Sequence, residues 1–139
     1  MERKWYTKKI EYEGLPLYLR RPDYEDIFLY RDNFPNVLRV TQKLLDVKSN
    51  GLPESDYNAS LTDFDGLMCK LFDKEDEGII FLIETFAGKR HYYYFISDSD
   101  DYIKRIEKVM VVYPDIDIEA HSYRDEDWGF LKDYLTKLY

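Results

Sequence analysis

Two histidines, one cysteine and several paired carboxylates are the residues of this chain best suited to chemistry. His91 and His121 could hold a metal or move a proton near neutral pH. In the strand order derived below, they fall on separate strands with a third between them. That puts them about 10 Å apart laterally, too far to share a metal, and no third ligand stands at a useful spacing. Cys69 lies inside a helical apolar pattern with Phe64, Met68 and Phe72, a setting for a small core residue rather than a nucleophile. No nucleophile elbow or comparable local signature accompanies it. Asp63 with Asp65, and Asp98 with Asp100 and Asp101, read as charged, solvated helix caps. No catalytic residue, metal ligand or cofactor site is therefore assigned, and the chain leans away from being an enzyme. The pattern that stands out is Lys89-Arg90-His91 running into four aromatics, Tyr92 to Phe95. With basic residues on neighbouring strands it gives a candidate binding surface of Arg39, Lys43, Lys89, Arg90, His91, Tyr93 and His121.

Positioning such a surface takes one domain, and 139 residues make one. A chain of this length buries enough surface to fold without disulfides or metals. Aromatic residues form 17% of it, with 14 tyrosines, which fits half-buried sheet faces or a contact surface. The net charge of −8 repels phosphate backbones and anionic membranes. The lone cysteine fits a reducing compartment, and the charged start of the sequence lacks the apolar run of a signal peptide. No stretch is long and apolar enough to span a membrane, so a cytoplasmic location is expected.

Lys4–Tyr12 and Leu15–Arg20 form a hairpin about Glu13-Gly14. A two-residue loop sets Tyr12, Ile10 and Lys8 opposite Leu15, Leu17 and Leu19. Pro16 points to an edge strand. Pro22 then opens a short helix to about Tyr30, with acidic residues in its first turn. Val37–Leu45 alternates as a strand, broken only by Gln42. Leu61, Phe64, Leu67, Met68, Leu71 and Phe72 mark a helix starting near Ser55 or Ser60, in which Gly66 fits close packing on the sheet. Gly78–Ser97 is a hairpin with an apolar first strand and the tyrosine-rich second one. Tyr102–Tyr113 is a helix ended by Pro114, and Ile116–Tyr123 a further strand. Asp125–Leu138 is a final helix carrying Trp128.

From Val37 to Tyr123 the order is strand, helix, strand, strand, helix, strand. This predicts an α+β, ferredoxin-like β-α-β-β-α-β core over residues 37–123 in one domain spanning 1–139. An N-terminal hairpin and short helix (4–31) and a C-terminal helix (125–138) are added to it. Right-handed crossovers would set the Val37 and Tyr92 strands in the centre, parallel to each other, with both helices on one face. The other face would carry Arg39, Thr41 and Lys43 beside Asp117, Glu119 and His121, pairing across strands. The hairpin and final helix must then cover the apolar edge at Ile79 or part of that open face.

Such a β-α-β-β-α-β domain with aromatics on its third strand is similar to the RNA recognition motif. The Gly-aromatic-Gly signature is absent, and the Val37 strand offers no aromatic for a second base. Several other residues carry a fuller resemblance: Arg20-Arg21-Pro22, Phe34-Pro35, Gly51-Leu52-Pro53, Thr85-Phe86-Ala87-Gly88-Lys89-Arg90 leading into Tyr94, and Trp128. Together they resemble the bacterial family catalogued as domain of unknown function 695, along most of the chain. That family is distantly similar to RraB-type regulators of ribonuclease E, acidic ferredoxin-like proteins that act by binding an enzyme. The resemblance implies a bacterial, cytoplasmic domain and assigns no functional residue here. The expected function is a non-catalytic module that binds another protein as a regulator, as a monomer or homodimer. The alternative is a small ligand or single-stranded RNA on the open sheet face.

Overall fold

A computed structural model describes residues 4–23, 33–72, 78–97, 101–125 and 128–129. The predicted N-terminal helix lies almost wholly outside the described residues, as does most of the C-terminal one. Six strands form one sheet: β1 (Trp5–Tyr12), β2 (Leu15–Pro22), β3 (Asn36–Lys43), β4 (Gly78–Phe86), β5 (Lys89–Ile96) and β6 (Ile118–Arg124). Their spatial order is β1-β2-β4-β5-β3-β6, and each neighbouring pair runs antiparallel. The helices are α1 (Ser55–Ser60), α2 (Thr62–Cys69) and α3 (Tyr102–Val112). The fold is α+β.

The expected parallel pairing of the Val37 and Tyr92 strands is overturned. β5 returns directly from β4 through a tight turn, so it runs against β4. It inserts between β4 and β3, which the helical crossover leaves parallel to each other, and therefore opposes both. The N-terminal hairpin keeps the expected register, with Ile10 opposite Leu17. It extends the sheet by pairing β2 to the outer side of β4 at Tyr18–Thr85, Leu19–Glu84 and Arg20–Ile83. That pairing covers the apolar edge. β2 is thus an inner strand, and Pro16 is tolerated because it precedes the stretch bonded to β4. Pro22 itself is the last residue of β2. β6 starts at Ile118, two residues later than expected.

The sheet carries a core on each face. Toward the helices, Leu38, Val40, Tyr92, Tyr94 and Ile96 pack with Phe64 and Met68 of α2 and Ile106 and Val109 of α3. The opposite face has its own core, in which Leu17, Leu19, Val37, Phe81, Tyr93 and Phe95 lie under Phe34 and Trp128. A β-bulge between Ile80 and Leu82 lets Phe81 and Leu82 both join this second core. Near-continuous apolar sequence in β4 is thereby explained: both of its faces are buried.

The expected single helix breaks at Leu61 into α1 and α2. Gly66 sits on the solvent side of α2 with open space around it, so it does not mark close packing on the sheet. Gln42, the residue that interrupts the β3 pattern, is fully buried, and its amide has no hydrogen-bond partner among the described residues.

Candidate functional site

On the helix-covered face, a cleft of about 370 Å³ lies between β2, β4 and β5 on one side and α1 and α2 on the other. Strand alternation decides what faces it. Arg20 on β2, Thr85 on β4 and Arg90 on β5 share this face with Ile83 and Tyr92. From the other wall Asn58 of α1 and Asp65 of α2 point in, and Leu52 and Pro53 close one side.

Asp65 is the hub. Both its oxygens accept from Arg20, Oδ2 at 2.9 Å from Nη1, a bidentate pair that adds geometric specificity to charge. Its Oδ1 also accepts from the Tyr92 hydroxyl at 2.8 Å. Burial would raise this carboxyl's pKa, but the hydrogen bonds and charge of Arg20, helped by Tyr92, hold it below the ordinary value. Burial would likewise lower the Arg20 guanidinium, and Asp65 outweighs it and raises it. The Tyr92 hydroxyl is pushed upward by burial and then by the Asp65 charge. Cys69, half-buried beside Asp65, has its thiol pushed up to about 11, first by burial and then by that carboxylate. It is held as a thiol, the unreactive form.

Arg90 is 6% exposed. It donates from Nε to Thr85 Oγ1 and from Nη2 to Asn58 Oδ1, each at 2.9 Å. The turn Ala87-Gly88 that precedes it has positive φ at both residues, the type I′ geometry that suits a two-residue hairpin. Gly51 backs this turn: its carbonyl accepts from the Gly88 amide at 2.8 Å.

The seven residues picked from sequence divide between the two faces. Arg39, Lys43, Lys89, His91, Tyr93 and His121 share the face away from the helices, with Arg39 opposite Tyr93 and His121, and Lys43 opposite Lys89. Arg90 alone points the other way, into the cleft. In the predicted acid–base pairing across β3 and β6, Arg39 faces His121 and Thr41 faces Glu119. Lys43 is the basic residue that meets an acidic one, its backbone amide donating to the Asp117 carbonyl at 3.0 Å. Arg39, Thr41, Glu119 and His121 line an open hollow. Tyr93 is 7% exposed, and Phe95 lies beneath the stacked ring of Trp128. His91 Nδ1 lies 2.8 Å from Thr41 Oγ1. Burial, then the charges of Arg39 and Lys89, lower its pKa to about 4, so it is neutral at physiological pH. β3 separates the two histidine strands as expected, and no cluster of three or more metal-ligating side chains occurs among the described residues.

Arg20, Asn58, Asp65, Thr85 and Tyr92 were not recognisable as a site from sequence. Arg20 and Asp65 are 45 positions apart, and only the pairing of β2 with β4 brings them together.

The described residues thus define an α+β domain with a charged, partly buried cleft on the helix side of its sheet. Residues 28–136 match the model of a family of unknown function, DUF695, and the chain belongs to that family. No curated protein and no solved structure matches it. No helix among the described residues is long and apolar enough to cross a membrane.

Proposed function

We propose that this is a non-catalytic binding module, built on a ferredoxin-like β3–β6 core, whose partner is another protein and whose role is regulatory. The outer surface of α3 carries the reading. Ile103, Met110 and Val111 recur at i, i+7 and i+8, so they lie along one flank of the helix. They are 55%, 41% and 80% exposed, and Val112 beside them is 64% exposed. Valine is a weak helix former, so two exposed valines in the last turn gain nothing locally. Grouped exposed apolar side chains mark interaction sites on soluble domains. The titratable groups support a binding role as well. Cys69 is kept protonated, His91 neutral, and Asp65 engaged by Arg20 and Tyr92.

The test compares the wild-type chain with Val111→Lys/Val112→Lys as bait in host extract over a range of salt. A stoichiometric partner kept by the wild type and lost by the variant is expected. No such partner, or equal recovery by both, overturns the reading. Both positions are exposed, so the variant should keep its stability within about 0.5 kcal/mol, which separates lost binding from misfolding. Sedimentation of each protein alone shows whether the partner is a second copy.

A further inference from the structure

The charge balance of the helix-side cleft is incomplete. Two guanidiniums, Arg20 and Arg90, line it with one carboxylate, Asp65. Asp65 is committed to Arg20 through both oxygens. Arg90 is 94% buried (6% exposed), yet it is anchored by two neutral groups, Thr85 and Asn58. Its charge also acts on Asp65, but that one carboxylate is already gripped by Arg20. Two guanidiniums so share a single negative charge, a costly arrangement when buried. Thr85 and Asn58 occupy Nε and one Nη2 hydrogen, and among the described residues Nη1 makes no hydrogen bond. The guanidinium is thus held in a fixed plane with its Nη edge uncommitted, the edge that receives a carboxylate in a two-point grip.

From these residues the geometry points to a binding site for a small monocarboxylate, gripped by Arg90 and seated against Tyr18, Leu52 and Pro53. One negative charge cancels the surplus positive charge of the cleft. A phosphate dianion would overshoot by one and face Asp65. The volume of about 370 Å³ lies at the small end of ligand pockets, and Tyr18, Leu52 and Pro53 offer apolar wall for the remainder of the acid. The site is on the opposite side of the sheet from the Arg39–His121 hollow and does not depend on the α3 surface.

Calorimetric titration of the full chain with propionate, benzoate, inorganic phosphate and a capped single-glutamate peptide, at constant ionic strength, tests it. Saturable binding of at least one free acid is expected, with phosphate and the peptide weaker. Arg90→Gln should weaken that binding at least about tenfold by removing the two-point grip. Tyr18 is 37% exposed at the cleft, so Tyr18→Glu keeps the fold and should weaken binding similarly by placing a like charge at the mouth. Val111→Lys should leave it unchanged. No saturable heat from either acid up to about 10 mM, an affinity weaker than about −3 kcal/mol, overturns the site. So does undiminished binding by folded Tyr18→Glu. Phosphate binding as tightly as the acids overturns the charge argument, and tighter binding of the peptide overturns the small-molecule assignment.

Discussion

His91 and Asp65 both bind protons less readily in the folded chain than their ordinary values imply, in separate pH windows. For His91 the drop is from 6.5 to about 4. Between those values the unfolded chain takes up a proton that the folded chain refuses, so acid favours unfolding there. The contribution is complete above 6.5 and is lost as pH falls toward 4. Asp65 lies below its ordinary 3.8, so its contribution is present above 3.8 and is lost on further acidification. Urea melts at a series of pH values should therefore show stability falling from pH 6.5 to 4 in the wild type. His91→Gln, which can still bond Thr41, should flatten that slope; an unchanged slope would assign it to another group. Asp65→Asn should keep the slope but cost about 2 kcal/mol at neutral pH, because it strands the partly buried Arg20 charge. Neither role was legible beforehand. Asp65 has the look of a solvated cap in sequence, since its partner comes from a strand 45 positions away.

Individual elements were far more legible than their directions or partners. The β1–β2 register followed from alternation and the Glu13-Gly14 turn, and β4 and β5 from their composition. The parallel assignment of β3 and β5 failed because the crossover through α1 and α2 leaves β3 parallel to β4, so a β5 hairpinned against β4 must oppose β3 as well. The helix break at Leu61 has no glycine or proline to announce it. Loop chemistry was visible as breakers but not as function. Gly51 has φ +87°, and a Cβ there would sit 2.8 Å from Ala87 Cα. The Gly51 loop is therefore pressed against the Ala87-Gly88 turn, fixing Leu52 and Pro53 relative to Arg90. Gly51→Ala should destabilise the fold by more than about 1 kcal/mol, since it combines an unfavourable backbone region with a close contact. Chemical denaturation measures this directly. A neutral outcome would mean that loop and turn separate freely, and the cleft wall would then not be a fixed one.

For the whole molecule, the feature composition could not show is that the central strands β4 and β5 are buried on both faces. Alternation distinguished the helix-facing side, and the hairpin and final helix were expected to cover the Ile79 edge or part of the second face, without saying which. On that face Trp128 stacks on Phe95 at 3.7 Å with rings 2° from parallel, and Phe95 stacks on Phe81 at 4.0 Å. The indole Nε1 donates to the Phe34 carbonyl at 2.8 Å, so residues from either end of the chain close over the same strands. β5 is common to both cores, with Tyr92 and Tyr94 on one side and Tyr93 and Phe95 on the other. Damage to one face should for that reason reach the other. Trp128→Ala should cost about 3–5 kcal/mol, as for other buried aromatic truncations, a large part of the 5–15 kcal/mol typical of a domain. Trp128→Phe keeps a ring on Phe95 and loses the bond to Phe34, and should cost about 1–2 kcal/mol. Far-UV dichroism reports the sheet and helices, and near-UV dichroism the tyrosines. If β5 couples the faces, both signals melt at one urea concentration in each variant, shifted together from the wild type. A tyrosine signal lost well before the backbone signal in Trp128→Ala would show instead that the helix-side core stands on its own, with the Phe34–Trp128 cover as a separate layer.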